Sequence, residues 1–142
     1  MSDGMRWLLL FLIALPTAGC AARVRPHGPA TGAARVLESR EGLASYYGRG
    51  FEGKVTASGV RFDAESMVAA HPTYPFGTVL RVTNLRNHRS ISVRIVDRGP
   101  ANGPRARGII IDVSQGAAQA LGFIREGHAR VRVEVLEWGR MD

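Results

Sequence analysis

Ala129-Arg130-Val131-Arg132-Val133-Glu134-Val135-Leu136-Glu137-Trp138 alternates almost without a break, with valines at 131, 133 and 135 and charged residues at 130, 132 and 134. A period of two sends successive side chains to opposite faces, so the valines share one face and the charges the other. That is the pattern of a β-strand with one face in a core and one in water. Working outward from it, five more short segments read as strands: Leu43 to Tyr47, Met67 to Ala70, Thr78 to Thr83, Ser90 to Val96 and Ile109 to Val113. Asn84-Leu85-Arg86-Asn87-His88 is a turn between two of them and predicts a hairpin. Ser114 to Leu121 reads as a helix, with Ser114 placed to cap its start and Gly122 to take the left-handed position at its end. Six short strands with one short helix, all between residues 42 and 138, predict a mainly β chain folded as a compact barrel.

The rest of the chain divides around that domain. Arg6 is followed by the apolar run Trp7 to Leu15. This is too short for a membrane span, which needs about 20 residues, and it has the form of a signal-peptide core. Residues 1–19 are therefore expected to be a signal peptide. Residues 20–41 hold Pro26, Gly28, Pro29 and Gly32 with no apolar periodicity, and read as a disordered, flexible tether. Cys20 is the only cysteine, so no intramolecular disulfide can form.

The formal net charge is +7 with a pI near 10.9, and all but one of the 19 basic residues are arginine, Lys54 being the exception. Such a balance is compatible with an anionic partner or with a merely well-solvated surface. Export removes nucleic acid from the possible partners and leaves cell-wall polymer and anionic lipid. His27, His71, His88 and His128 are widely spread, and no metal-ligand spacing appears. No glycine-rich phosphate loop follows a strand, so neither a metal nor a cofactor is expected.

Thr17-Ala18-Gly19-Cys20 resembles the lipobox of bacterial lipoproteins, in which the cysteine thiol receives diacylglycerol and the chain is cut just before it. The resemblance implies lipidation at Cys20 and a membrane anchor on the periplasmic side of the cell envelope. Ala21 rather than Asp follows the cysteine, which favours the outer membrane over the inner.

Four further stretches, read in order, are similar to the rare lipoprotein A family, whose domain is a double-psi β-barrel. They are GLASYYGRGFEGKVTASG from Gly42, FDAESMVAAHPTYPFGTVLRVTNL from Phe62, SVRIVDRGP from Ser92 and IDVSQGAAQALG from Ile111. The resemblance implies a six-stranded double-psi barrel over residues 42–138, acting on peptidoglycan glycan strands. Family members include endolytic lytic transglycosylases, which cleave between N-acetylmuramic acid and N-acetylglucosamine to leave 1,6-anhydromuramic ends without using water. One carboxyl group suffices for this. It protonates the glycosidic oxygen, then takes the proton of the sugar's own carbon-6 hydroxyl. Paired-carboxylate hydrolysis differs in needing a second carboxyl.

By resemblance, Asp97 is the catalytic aspartate and His71 supports it. Asp63 also falls on a characteristic position of the family. With it, Arg98, suited to a substrate carboxylate or acetamido oxygen, and Tyr47, suited to stacking on sugar, are the expected substrate-binding residues. From the residues alone, Asp97 with Arg98 equally pins a Gly-Pro turn, His71 equally serves as a structural hydrogen-bond partner, and Asp63 suits a turn after Phe62. Tyr46, Tyr47, Tyr74, Phe76 and Trp138 can stack on sugar or fill a core. One departure stands out: active relatives carry Glu directly after the glycine of Ala57-Ser58-Gly59, where this chain has Val60. Glu52 and Glu65 are the neighbouring carboxylates that could substitute. Many relatives also carry a further glycan-binding domain, and this sequence stops at Asp142. Two alternatives to the enzyme thus remain: a non-catalytic, expansin-like glycan binder, and a lipoprotein that bridges membrane and wall. A monomer is the expected state.

Overall fold

A computed structural model describes residues 34–140. The expected signal peptide, Cys20 and most of the expected tether lie outside the described residues. The elements run β1 (Glu38–Tyr47), β2 (Val68–Ala70), β3 (Val79–Asn84), β4 (Ser90–Asp97), α1 (Asn102–Ala106), β5 (Ile109–Ser114), α2 (Gln115–Leu121) and β6 (His128–Glu137). The six strands close into a barrel in the order β1-β5-β2-β4-β3-β6. Two of its pairs, β1 with β5 and β2 with β4, are parallel, and the other four are antiparallel. Closure leaves no free sheet edge.

Alternation fills the interior. Val131, Val133 and Val135 of β6 point inward with Leu80 and Val82 of β3, Val93 and Ile95 of β4, and Ile111 and Val113 of β5. Ala44 and Ala69 supply the small positions that let the barrel taper. Outward-facing charges pair across strands: Arg81 grips Glu134 through two bonds of 2.8 and 3.0 Å, and Arg132 meets Glu41 at 2.9 Å.

α2 closes one side of this core with Ala117, Ala118 and Leu121, and Phe123 follows them in. Its ends are the expected ones. Ser114 Oγ accepts the Ala117 N–H at 3.2 Å, and Gly122 takes the left-handed conformation at φ 75°. The Asn84–His88 turn joins β3 to β4 as a hairpin, and it also serves the helix. The side-chain amides of Asn84 and Asn87 donate to the Leu121 carbonyl at 3.0 and 2.9 Å. They satisfy one of the carbonyls that a helix C-terminus leaves open.

Two features depart from the sequence reading. β1 begins at Glu38, inside the segment read as tether, because Glu38 to Gly42 pair antiparallel with Val131 to Val135 of β6. Its polar residues carry no strand signal of their own; the partner strand imposes the conformation. α1 was not expected either. Its five residues bury nothing and turn the chain between Pro100 and β5.

The start of α2 lies flat on the Ala64–Ser66 segment. Gly116 N–H donates to the Ala64 carbonyl at 2.8 Å, and a Cβ at position 116 would stand 2.5 Å from the Glu65 carbonyl oxygen. Gly116→Ala is therefore expected to destabilise the domain by about 2 kcal/mol, lowering Tm by about 10 °C for a domain of this size. Gly50→Ala, whose added carbon meets nothing within 4 Å, is the control and should leave Tm near that of the wild type. Thermal unfolding of the three chains reads the difference.

Candidate active site

Asp97 is the last residue of β4, half-buried, and the register partner of Ala70 on β2. Ala70 is also the partner of Asp112 on β5. A β-bulge between Ala69 and Ala70 brings Asp97 opposite Ala70, so the two aspartates sit on the strands flanking β2, about 10 Å apart at the backbone from two strand spacings, and both charges act on Tyr47. Ser45 of β1, the partner of Asp112 on its other side, donates its hydroxyl to Asp112 Oδ1. Tyr47 lies two residues beyond on the same face. One row therefore crosses four strands: Ser45, Asp112, Ala70, Asp97.

Asp97 is held by backbone. Its Oδ1 accepts the Ala57 N–H at 2.9 Å and the Arg98 N–H at 2.8 Å. Oδ2 takes no hydrogen bond from the described residues. Ala57 belongs to a tight loop that Thr56 closes by donating both its N–H and its hydroxyl to the Val60 carbonyl, at 2.8 and 2.9 Å. Ser58 N–H ties the same loop to Val96. Val60 thus lies on a loop docked onto Asp97, with its side chain 49% exposed.

Arg98 does not pair with Asp97. Its guanidinium lies 3.8 Å over the Phe76 ring and donates to the Tyr74 carbonyl at 2.9 Å, with a longer contact to the His71 carbonyl. Its side chain braces the 71–76 segment.

His71 reaches Asp97 through the backbone, its N–H donating to the Asp97 carbonyl at 3.2 Å. Its side chain does not bond Asp97. Nδ1 accepts two backbone N–H groups, from Tyr74 at 3.0 Å and Thr73 at 3.2 Å, and the ring stacks on Tyr74 with centroids 3.6 Å apart. A ring nitrogen that accepts carries no proton, so the proton is on Nε2. Burial first, and then the positive charges of Arg40 and Arg98, lower the pKa of His71 to about 4. At neutral pH it is a fixed, uncharged donor rather than a proton shuttle. Tyr74 is in turn tied to Glu38, its hydroxyl donating at 2.6 Å, and this bond lowers the Glu38 pKa.

Asp112 is the residue that sequence reasoning passed over. Burial raises its pKa, and the Ser45 hydrogen bond offsets part of that rise. The DRGP turn folds directly over it. A Cβ at Gly99, where φ is +157°, would lie 3.3 Å from Asp112 Oδ2 and 3.4 Å from Ala70 Cβ. The available signal was a lone charge within Ile109-Ile110-Ile111-Asp112-Val113.

Tyr47 stacks on Phe62 with centroids 4.5 Å apart and meets Phe51 edge-on. Its hydroxyl is buried without a hydrogen-bond partner among the described residues. Burial, then the charges of Asp97 and Asp112, raise its pKa. Asp63 is elsewhere and spends both carboxylate oxygens locally, accepting the Glu65 N–H at 2.9 Å and the Ser66 hydroxyl at 2.6 Å. It is the turn-former the bare residues suggested. Glu52 accepts the Ala64 N–H, and Glu65 lies 3.5 Å from Arg49; both line a separate cleft with Asp63. Of the other aromatics, Tyr46 packs on Phe123, while Trp138 is exposed and meets Tyr74 edge-on.

Two outcomes follow from this geometry. His71 titrates near 6.5 when unfolded and near 4 when folded, so the unfolded chain takes up the proton first as pH falls. Its contribution to stability is full above about pH 6.5 and is lost progressively down to about pH 4. Denaturant unfolding should show His71→Gln losing less stability than wild type between pH 7.5 and pH 4.5. Tyr47→Phe removes an unpaired buried hydroxyl, whose burial costs about 1–3 kcal/mol. Its denaturation midpoint should equal or exceed that of the wild type, and a drop would show a bonded hydroxyl.

Comparison with known proteins agrees with this arrangement. The family model described as lytic transglycolase matches residues 39–133. A protein of Nostoc sp. named "Probable endolytic peptidoglycan transglycosylase RlpA" is 55% identical over 106 residues, covering 73% of this chain and 28% of the relative. The "Endolytic peptidoglycan transglycosylase RlpA" of Campylobacter jejuni is 46% identical over 104 residues, covering 73% and 36%. The chain thus spans about a third of the length of these curated relatives. Among solved structures, the Streptomyces papain inhibitor superposes with a TM-score of 0.56 at 25% identity, covering 72% of this chain and 97% of that one. An expansin of Clavibacter michiganensis shares the fold, with a TM-score of 0.55 at 17% identity over 74% of this chain and 54% of that one. With four sequence segments in register, a closed six-stranded mixed barrel and these matches, the chain belongs to the lytic transglycolase family, in its RlpA-like, double-psi β-barrel form.

Proposed function

We propose that the barrel is an endolytic peptidoglycan lytic transglycosylase that cleaves glycan strands between N-acetylmuramic acid and N-acetylglucosamine, leaving 1,6-anhydromuramic ends during wall remodelling. The observation that carries the reading is the carboxylate row, with Asp97 held at Oδ1 by two backbone N–H groups and Oδ2 left open. In this mechanism protonated Asp97 gives its proton to the glycosidic oxygen as the bond from carbon 1 breaks. The resulting carboxylate accepts the proton of the carbon-6 hydroxyl as that oxygen bonds to carbon 1. The acid is regenerated and no water is consumed. Asp112 stands beside it as a carboxyl with a raised pKa, suited to holding a proton against the sugar. Neutral His71 offers an Nε2–H donor, while Tyr47, whose hydroxyl is buried, packs beneath the row on Phe62. Arg98 and Asp63, both engaged locally, contribute by shaping the segments that carry them.

The same reading makes the protein a monomeric lipoprotein. Ala18-Gly19-Cys20 supports an anchor at Cys20 that holds the barrel at the periplasmic side of the envelope, with the outer membrane favoured by Ala21. A second reading, a glycan binder without turnover, is favoured by one observation: an apolar Val60 side chain on the loop docked to Asp97.

The full chain on peptide-free glycan strands, with products followed by mass spectrometry, separates the two. The enzyme reading expects anhydromuramic ends from the wild type, at least about 100-fold fewer from Asp97→Asn, and more from Val60→Glu. An unchanged rate in Asp97→Asn would remove that residue from the chemistry. Strands that pull down the wild type yet yield no such ends would establish the binder.

A further inference from the structure

Next to the carboxylate row is a cleft of about 190 Å³ lined by Arg40, His71, Thr73, Arg105 and Ile110 among others. It is joined to the row along the chain at two points. His71 follows Ala70, and Ile110 is two residues before Asp112. Its charged side chains, Arg40 and Arg105, are of one sign. The only side-chain bond of Arg105 among the described residues is a 3.4 Å contact to the neutral Asn102 Oδ1. Arg40 commits its Nε to Glu38 at 2.7 Å, which leaves its two terminal nitrogens. His71, with Nδ1 closed by two backbone N–H groups, presents only a donor.

The wall thus offers N–H donors from two guanidinium groups and a neutral imidazole. The nearby acid, Glu38, is already taken by Tyr74 and Arg40. Ile110 gives the cleft an apolar side, which strengthens an ionic contact. Planar guanidinium groups bind carboxylates through paired, charge-assisted hydrogen bonds. The same two charges, with Arg98, help to keep His71 unprotonated, so the site does not acquire a third cation at neutral pH.

We propose that the Arg40–His71–Arg105 cleft is a carboxylate subsite that binds an acidic group of the glycan strand next to the bond being cleaved. This rests on the glycan reading above. Peptidoglycan offers that chemistry from two sources: the lactyl carboxylate of muramic acid when the peptide is absent, and the carboxylates of the stem peptide when it is attached.

The test is a binding measurement with the full chain, read before turnover. Peptide-free strands and peptide-bearing strands are each used as they are and after their carboxylates have been converted to amides. Amide conversion should weaken binding about tenfold, the scale of one charge-assisted contact. Arg105→Gln should abolish that discrimination, while Arg125→Gln, an exposed arginine outside the cleft, should preserve it. Loss confined to the peptide-free strands identifies the lactyl carboxylate; loss confined to the peptide-bearing strands identifies the stem peptide. Equal binding before and after conversion in both kinds of strand overturns the proposal. So does an Arg125→Gln loss as large as that of Arg105→Gln, which would show bulk charge alone. Carboxylate discrimination without anhydromuramic products would sink the enzyme reading and leave the subsite; cleavage without discrimination would do the reverse.

Discussion

β2 is three residues long, and the site depends on it. Its last residue, Ala70, pairs with Asp97 on one side and Asp112 on the other. The barrel order, with β2 between β4 and β5, brings together two aspartates that are fifteen positions apart in sequence. The small side chain at 70 matters as much as the pairing, because the DRGP turn crosses close above it and Gly99 approaches both Ala70 and Asp112. A side chain at position 99 would press on both of them, so the turn or its neighbours would have to shift.

Around this row the protein fixes its polar groups with backbone rather than with opposite charges. Asp97 is held by two N–H donors, and His71 is held by two more. Arginine is abundant, yet Arg98 is directed onto Phe76 and a carbonyl instead of Asp97. Among the described residues, Asp97 joins no ion pair. Positive charge gathers instead in the neighbouring cleft, on Arg40 and Arg105.

Much of the fold was legible because its signals are local. The valines of β6 alternate with charges, since one face meets the core and the other meets water. Ser114 and Gly122 bracket α2 by capping chemistry that needs no tertiary partner. β1 before Leu43 was not legible, because Glu38 to Gly42 become a strand only by pairing with β6. α1 lacks any apolar face to betray it. For the site, Asp97 stood out at a strand end before a Gly-Pro turn. Asp112 was hidden within an apolar run, and its importance comes from register across β2, which no local pattern encodes. Asp63 shows the converse: the family resemblance suggested substrate contact, while its bonds are those of the turn that the residues alone suggested.

In the proposed reaction this barrel breaks glycan strands with the sugar's own hydroxyl and without water. The most direct measurement digests peptide-free glycan with the full chain in water enriched in heavy oxygen and weighs the new ends. The account predicts anhydromuramic ends carrying no heavy oxygen. Reducing ends that have taken up the label would contradict it and make the Asp97–Asp112 pair a hydrolytic one.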